Sequence, residues 1–131
     1  MMGAAKRLRI LVVDDQLAVR DVVGDMVQFA GHDVIGKAND GIEAVEQARR
    51  LRPDVVVMDV VMPRASGIEA MRAILLEKTA GGVLLMSGEY RSHGITKEEL
   101  LKAGATVFLE KPFSLSDLAQ SLEKCAGGTA A

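Results

Sequence analysis

Short, almost wholly apolar runs alternate along the chain with stretches in which apolar residues recur every three or four positions. Parallel strands need long return connections and helices supply them, so this alternation predicts a parallel sheet with crossover helices. Five strands are expected, over residues 8–13, 33–37, 55–58, 82–86 and 106–109. The first, third and fourth are apolar throughout, as strands covered on both faces must be, and belong at the centre of the sheet.

The intervening stretches read as helices with one apolar stripe each. Leu17, Val22, Val23, Met26, Val27 and Ala30 make the first stripe, and Gly31 stops that helix. Ile42, Val45, Ala48 and Leu51 repeat the pattern before Pro53. Ser66 is placed to cap a third helix through Ile68, Met71, Ile74 and Leu75, and Thr96 a fourth, with Glu99 at the capping-box position. Ser114 or Ser116 caps a fifth through Leu118 and Leu122. Residues 1–5 and 127–131 read as flexible ends around one domain over 6–126.

Composition narrows the function. The 131 residues carry 16 Lys and Arg against 18 Asp and Glu, a net charge of −2 with no long basic run, which argues against a nucleic-acid footprint. Cys125 is the only cysteine, so neither a disulfide framework nor a thiolate metal site can be built, and it is expected to be a packing residue. The first apolar run is short and ends in two acids, unlike a signal peptide or a membrane span, so a cytoplasmic protein is expected. His32 and His93 lack metal-ligand spacing to another His or Cys and are expected to face solvent. Met26, Met58, Met71 and Met86 fall at apolar positions as core filler.

The candidate chemistry lies at the strand ends. Asp14 and Asp15 close the first strand and Asp59 closes the third. Ligands of open α/β sheets bind outside the carboxyl ends of the strands, so these acids are expected to share one small site. Unit charges a few ångströms apart repel by roughly 4 kcal/mol at an effective dielectric near 20, and such a cluster needs a cation or a proton. Ser87 and Lys111 close the fourth and fifth strands at the same level. Mg²⁺ takes one or two carboxylates, waters and a phosphate oxygen, which Asp15, Asp59 and the backbone carbonyl of Val61 suit, with Asp14 supporting them. Asp59 is then the nucleophile that becomes an aspartyl phosphate, and Lys111 the counter-charge to the transferred group. Taken alone, the Asp pair would read as a turn, with Asp15 capping the first helix. Ser87 alone would read as a turn residue and Lys111 as a solvated lysine; the joint placement favours the site.

Asp14-Asp15, Asp59 followed by Met62-Pro63 and Gly67, Ser87-Gly88 and Lys111-Pro112-Phe113 resemble the receiver domains of bacterial two-component response regulators, over about residues 6–126. The resemblance implies a flavodoxin-like doubly wound (βα)5 fold, strand order 2-1-3-4-5, with three layers. It implies Mg²⁺ held by Asp14, Asp15 and Asp59, and a phosphoryl group accepted on Asp59 from a histidine kinase or histidine phosphotransfer protein. Ser87 matches the hydroxyl that moves to the phosphoryl oxygen, and Phe108 the aromatic that turns inward behind it, although a strand Phe by itself reads as core. Gly88 keeps the approach open, and Pro112 matches a cis-peptide site that aims Lys111. Output is expected through the fourth helix, fifth strand and fifth helix, about residues 95–125, to a separate protein. The chain reads as a stand-alone monomer, with dimerisation on phosphorylation as an option and no nucleic-acid or membrane partner. The loop from Glu89 to Ile95, with Tyr90, Arg91 and His93, is a further candidate contact.

Three rivals compete with this reading. A Mg²⁺-dependent phosphohydrolase would need a second acid two residues after the nucleophile, where Val61 stands. A flavin carrier would need a phosphate loop and aromatics to sandwich the ring, against an aromatic content of 3% and two repelling acids. A receiver that works without phosphorylation would have no use for an intact acid cluster.

Overall fold

Strands and helices alternate strictly in the computed structural model, which describes residues 6–88 and 94–127. They are β1 (Arg9–Val13), α1 (Leu17–Phe29), β2 (Asp33–Ala38), α2 (Gly41–Leu51), β3 (Val55–Asp59), α3 (Gly67–Glu77), β4 (Gly82–Ser87), α4 (Lys97–Lys102), β5 (Val107–Glu110) and α5 (Leu115–Gly127). The five strands form one sheet in the order β2-β1-β3-β4-β5, and every neighbouring pair is parallel. This is the flavodoxin-like fold, with the three apolar runs at its centre. Residues 1–5, the stretch from Glu89 to His93 and the tail after Gly127 lie outside the described residues.

Alternation along the central strands sends side chains to two separate cores. Leu11, Val13, Val56, Met58, Val83 and Leu85 pack on one face with Ala44, Met71, Ile74 and Leu100 from α2, α3 and α4. Ile10, Val12, Val55, Val57, Leu84 and Met86 pack on the other with Val23, Val27, Leu118 and Leu122 from α1 and α5. Each such Leu, Ile or Met is fully buried, a contribution of about 1.5–3 kcal/mol per side chain before conformational entropy is counted. Cys125 belongs to the second core, and burial pushes its thiol up to about 11.

Local chemistry fixes where the helices start. Reciprocal capping boxes pair Ser66 with Glu69 on α3 and Thr96 with Glu99 on α4. Ser114, not Ser116, opens α5: its hydroxyl accepts from the Asp117 N–H and its own N–H donates to the Asp117 carboxylate. The cap of α2 is Asp40, which accepts from the Glu43 N–H at 2.8 Å.

His32 departs from expectation. It is buried, and its Nδ1 accepts the Leu8 N–H at 3.0 Å. The ring satisfies a backbone donor just before β1, where neither solvent nor the sheet reaches it. Burial, with the nearby Arg7 guanidinium, holds its pKa below the usual imidazole value. His93 lies outside the described residues.

Candidate phosphoacceptor site

Strand register builds the site. Val13 lies opposite Met58, Asp59 opposite Met86 and Ser87 opposite Glu110, so the residues that end β1, β3, β4 and β5 come out level along the carboxyl edge of the sheet. Asp14, Asp15, Asp59, Ser87 and Lys111 therefore converge although up to 97 positions separate them in the chain.

The three acids each offer an oxygen within 4.8 Å of the others. Asp14 and Asp59 are buried and Asp15 is exposed. The Lys111 ammonium lies 3.1 Å from one oxygen of Asp14 and 3.7 Å from one of Asp59. Asp14 also accepts the Gln16 N–H through Oδ1 at 2.9 Å, while its backbone carbonyl accepts from the Arg20 guanidinium at 2.8 Å. The turn between β1 and α1 is thus pinned by Asp14. Asp15 makes no cap on α1, whose N-cap residue Gln16 makes no side-chain capping hydrogen bond.

Three carboxylates beside one ammonium leave two negative charges in excess, and the effect falls on Asp59. Burial raises its carboxyl from 3.8 to about 6, with Asp14 and Asp15 pushing the same way, against Lys111 and the Val61 N–H that donates to it. An all-oxygen donor set with one side exposed and two uncompensated charges suits a divalent cation that keeps some of its waters. The acid triad fits a metal on these grounds.

A cavity of about 270 Å³ opens over the cluster, lined by Asp15, Asp59, Val61, Ser87, Gly88 and Lys111 together with Gln16 and Val19. Gly88 lines the cavity, and a Cβ there would make only ordinary contacts with Lys111, at 3.5 Å and beyond. The Lys111–Pro112 peptide is cis. Ser87 is buried at the cavity floor, whereas Phe108 is buried two strands away from Asp59 against the core beneath α4. Gln16 and Val19 carry no motif and lie in an ordinary helix-start pattern; they reach the cavity wall because α1 starts directly after the Asp14–Asp15 turn.

The response regulator receiver domain family matches residues 10–123. The chain belongs to this family. Receiver domains are signalling phosphoacceptors rather than catalytic enzymes, and they interact with kinases and downstream partners. The transcriptional regulatory protein PdtaR of Mycobacterium tuberculosis is 39% identical over 120 residues, which is 92% of this chain and 57% of PdtaR. The receiver thus spans just over half of that relative's length. Chemotaxis protein CheY of Thermotoga maritima is 36% identical over 116 residues, covering 88% of this chain and 95% of CheY. The signal receiver domain of a response regulator NarL from Mycobacterium tuberculosis superposes with a TM-score of 0.83 at 26% identity, over 94% of this chain and 98% of that one. Among the described residues, no helix of this receiver is long and apolar enough to cross a membrane.

Proposed function

We propose that this receiver accepts a phosphoryl group on Asp59 from a histidine kinase or histidine phosphotransfer protein in a Mg²⁺-dependent reaction, and passes the signal to a partner protein. The observation that carries the reading is the single cavity in which Asp59, the exposed Asp15, Ser87 and Lys111 meet. Asp14, Asp15 and Asp59, with the Val61 carbonyl, would hold Mg²⁺, which when bound neutralises charge on the cluster and on the incoming phosphoryl group. Asp59 in its ionised form attacks phosphorus, the bond from phosphorus to the donor imidazole nitrogen breaks, and the imidazole leaves with its electron pair. Lys111 offsets charge on the phosphoryl oxygens as they move toward Asp59. Ser87 supplies a hydroxyl to one of those oxygens afterwards, and Phe108 repacks behind it, which would alter the face formed by α4, β5 and α5.

Incubation of the protein with Mg²⁺ and acetyl phosphate, followed by intact mass and peptide mapping, tests the assignment. A single phosphoryl adduct on Asp59 is expected; an adduct elsewhere, or none, would sink it.

Two further expectations attach to this reading. Val61 is apolar and cannot orient an attacking water, so the aspartyl phosphate is expected to outlast the seconds timescale in Mg²⁺ without a phosphatase. Val61→Asn, which introduces a polar group at the cavity wall, should shorten the lifetime several-fold as followed by phosphate release. The second concerns donor docking. An open apolar groove of about 520 Å³ lies beside the acid cavity, lined by Val22, Met26 and Phe113, and shares Val19 and Lys111 with it. A protein donor would cover this groove while a small donor would not. Val22→Asp is therefore expected to slow transfer from a phosphohistidine protein and leave the acetyl phosphate rate unchanged; equal effects on both would contradict this.

A further inference from the structure

The loop between β3 and α3 carries Val61, whose N–H donates to the Asp59 carboxylate, yet most of its backbone hydrogen bonds are local. Val60 donates to Met86 in the sheet, Ala65 to Pro63 and Gly67 to Val60. One side-chain link crosses from this loop to α2: the Arg64 guanidinium lies 2.6 Å from the Asp40 carboxylate, whose other oxygen caps the helix. Asp40 is buried, so its charge has lost most of its water and the guanidinium restores what hydration gave. Arg64 sits at φ +70, a conformation that L side chains adopt at a cost, so the backbone here is strained in favour of this contact. Next to it, Gly41 admits the Ala65 backbone so closely that a Cβ would overlap the Ala65 carbonyl oxygen.

We propose that the Asp40–Arg64 pair is a clamp that positions the β3–α3 loop, and with it Val61, against Asp59, and so sets the divalent-cation affinity of the site. Neither residue touches the acid triad's reacting oxygens; both act as positioning residues through the loop. The proposal rests on the Mg²⁺-binding reading above and extends it to residues outside the cavity.

Charge and clamping predict opposite results for one of the two obvious variants. Arg64→Gly removes a positive charge near the cation site, so electrostatics alone would tighten Mg²⁺ binding, while Asp40→Asn would weaken it. A clamp predicts that both weaken it. Gly adopts φ +70 without strain, and Asn is as good a helix cap as Asp, so both variants keep the fold.

The experiment is calorimetric titration of Mg²⁺ into wild type, each single variant and the double variant, with hydrogen exchange of the same proteins in EDTA. Each single variant is expected to weaken Mg²⁺ roughly three- to tenfold, at or below the low end of what partners behind a ligand shell contribute. The double variant should be no weaker than the worse single variant, and the Ala65 and Gly67 amides should exchange faster in all three without any metal present. Tighter or unchanged binding in Arg64→Gly, or additive losses in the double variant, would overturn the clamp. If the wild type itself takes up no Mg²⁺, the functional reading fails and the clamp falls with it.

Discussion

Asp59→Asn will take up no phosphoryl group from acetyl phosphate and, in metal-free buffer at pH 8, will be more stable than the wild type. The first result follows from chemistry: an amide is not a carboxylate nucleophile, the other acid lining the cavity, Asp15, is exposed, and Asp14, though buried beside Lys111, accepts the Gln16 N–H and does not line the cavity. The second follows from proton linkage. Burial holds the Asp59 carboxyl at about 6 in place of 3.8, so the folded protein binds that proton more tightly than the unfolded chain. The stabilisation is complete below about pH 3.8 and is lost as pH rises through about 6. At pH 8 the metal-free wild type therefore holds an ionised carboxylate at a cost of up to about 3 kcal/mol, at 1.36 kcal/mol for each tenfold change in proton affinity. Asn escapes that cost and can still accept the Val61 N–H, although Lys111 loses one of two partners. Urea unfolding in EDTA at pH 4.5 and pH 8 should show the advantage of Asn growing with pH, and excess Mg²⁺ should shrink it by stabilising the charged wild type. An advantage that does not change between the two pH values would contradict the burial of this charge.

The central part of the site was legible because strand ends are marked twice in the sequence, once by the end of an apolar run and once by a polar residue. Asp14, Asp59 and Ser87 carry both marks, Lys111 follows Glu110 one residue after its run ends, and parallel register then brings them level. The edge strands are written more faintly. β2 is Asp-Val-Ile-Gly-Lys-Ala with half-buried positions, and its pairing with β1 shifts register between Ile10 and Leu11. Its C-terminal boundary falls at Ala38, one residue past the expected Lys37, as β3 and β4 also end one residue past their expected Met58 and Met86. What stayed hidden were residues whose roles depend on a partner remote in sequence. Asp40 and Arg64 lie 24 positions apart on two turns, and no periodicity links turns to one another. His32 reads as a polar residue between helix and strand, and only the Leu8 amide lying against it explains its burial. Glu69 and Asp117 complete capping boxes on α3 and α5, a pattern within the reach of sequence spacing alone.

Gly67→Ala should cost roughly 2–3 kcal/mol of stability and abolish phosphorylation of Asp59 together, although Ala is the better helix former by about 1 kcal/mol. Gly67 opens α3 directly behind Asp59. Its N–H donates to the Val60 carbonyl at 2.9 Å, and a Cβ there would overlap the Asp59 carbonyl oxygen while lying 3.0 Å from the Asp59 carbonyl carbon and the Val60 Cα. All three atoms are backbone, so no rotamer change relieves the clash, and either α3 withdraws or the end of β3 moves. Movement of β3 carries Asp59 away from Lys111 and Asp15, and positioning errors of an ångström are enough to cost two orders of magnitude in rate. Gly24→Ala supplies the contrast. It also lies in a helix, but its added methyl would meet the flexible end of Lys37 at 3.3 Å and Val34 Cγ2 at an ordinary 4.0 Å, with no backbone atom among its nearest neighbours. There the helix preference should prevail, stabilising by about 0.5–1 kcal/mol with phosphorylation intact. Thermal unfolding and acetyl phosphate labelling of the two variants side by side separate backbone contact from mere loss of a glycine: if both behave alike, the close approach of α3 to β3 is not what places Asp59.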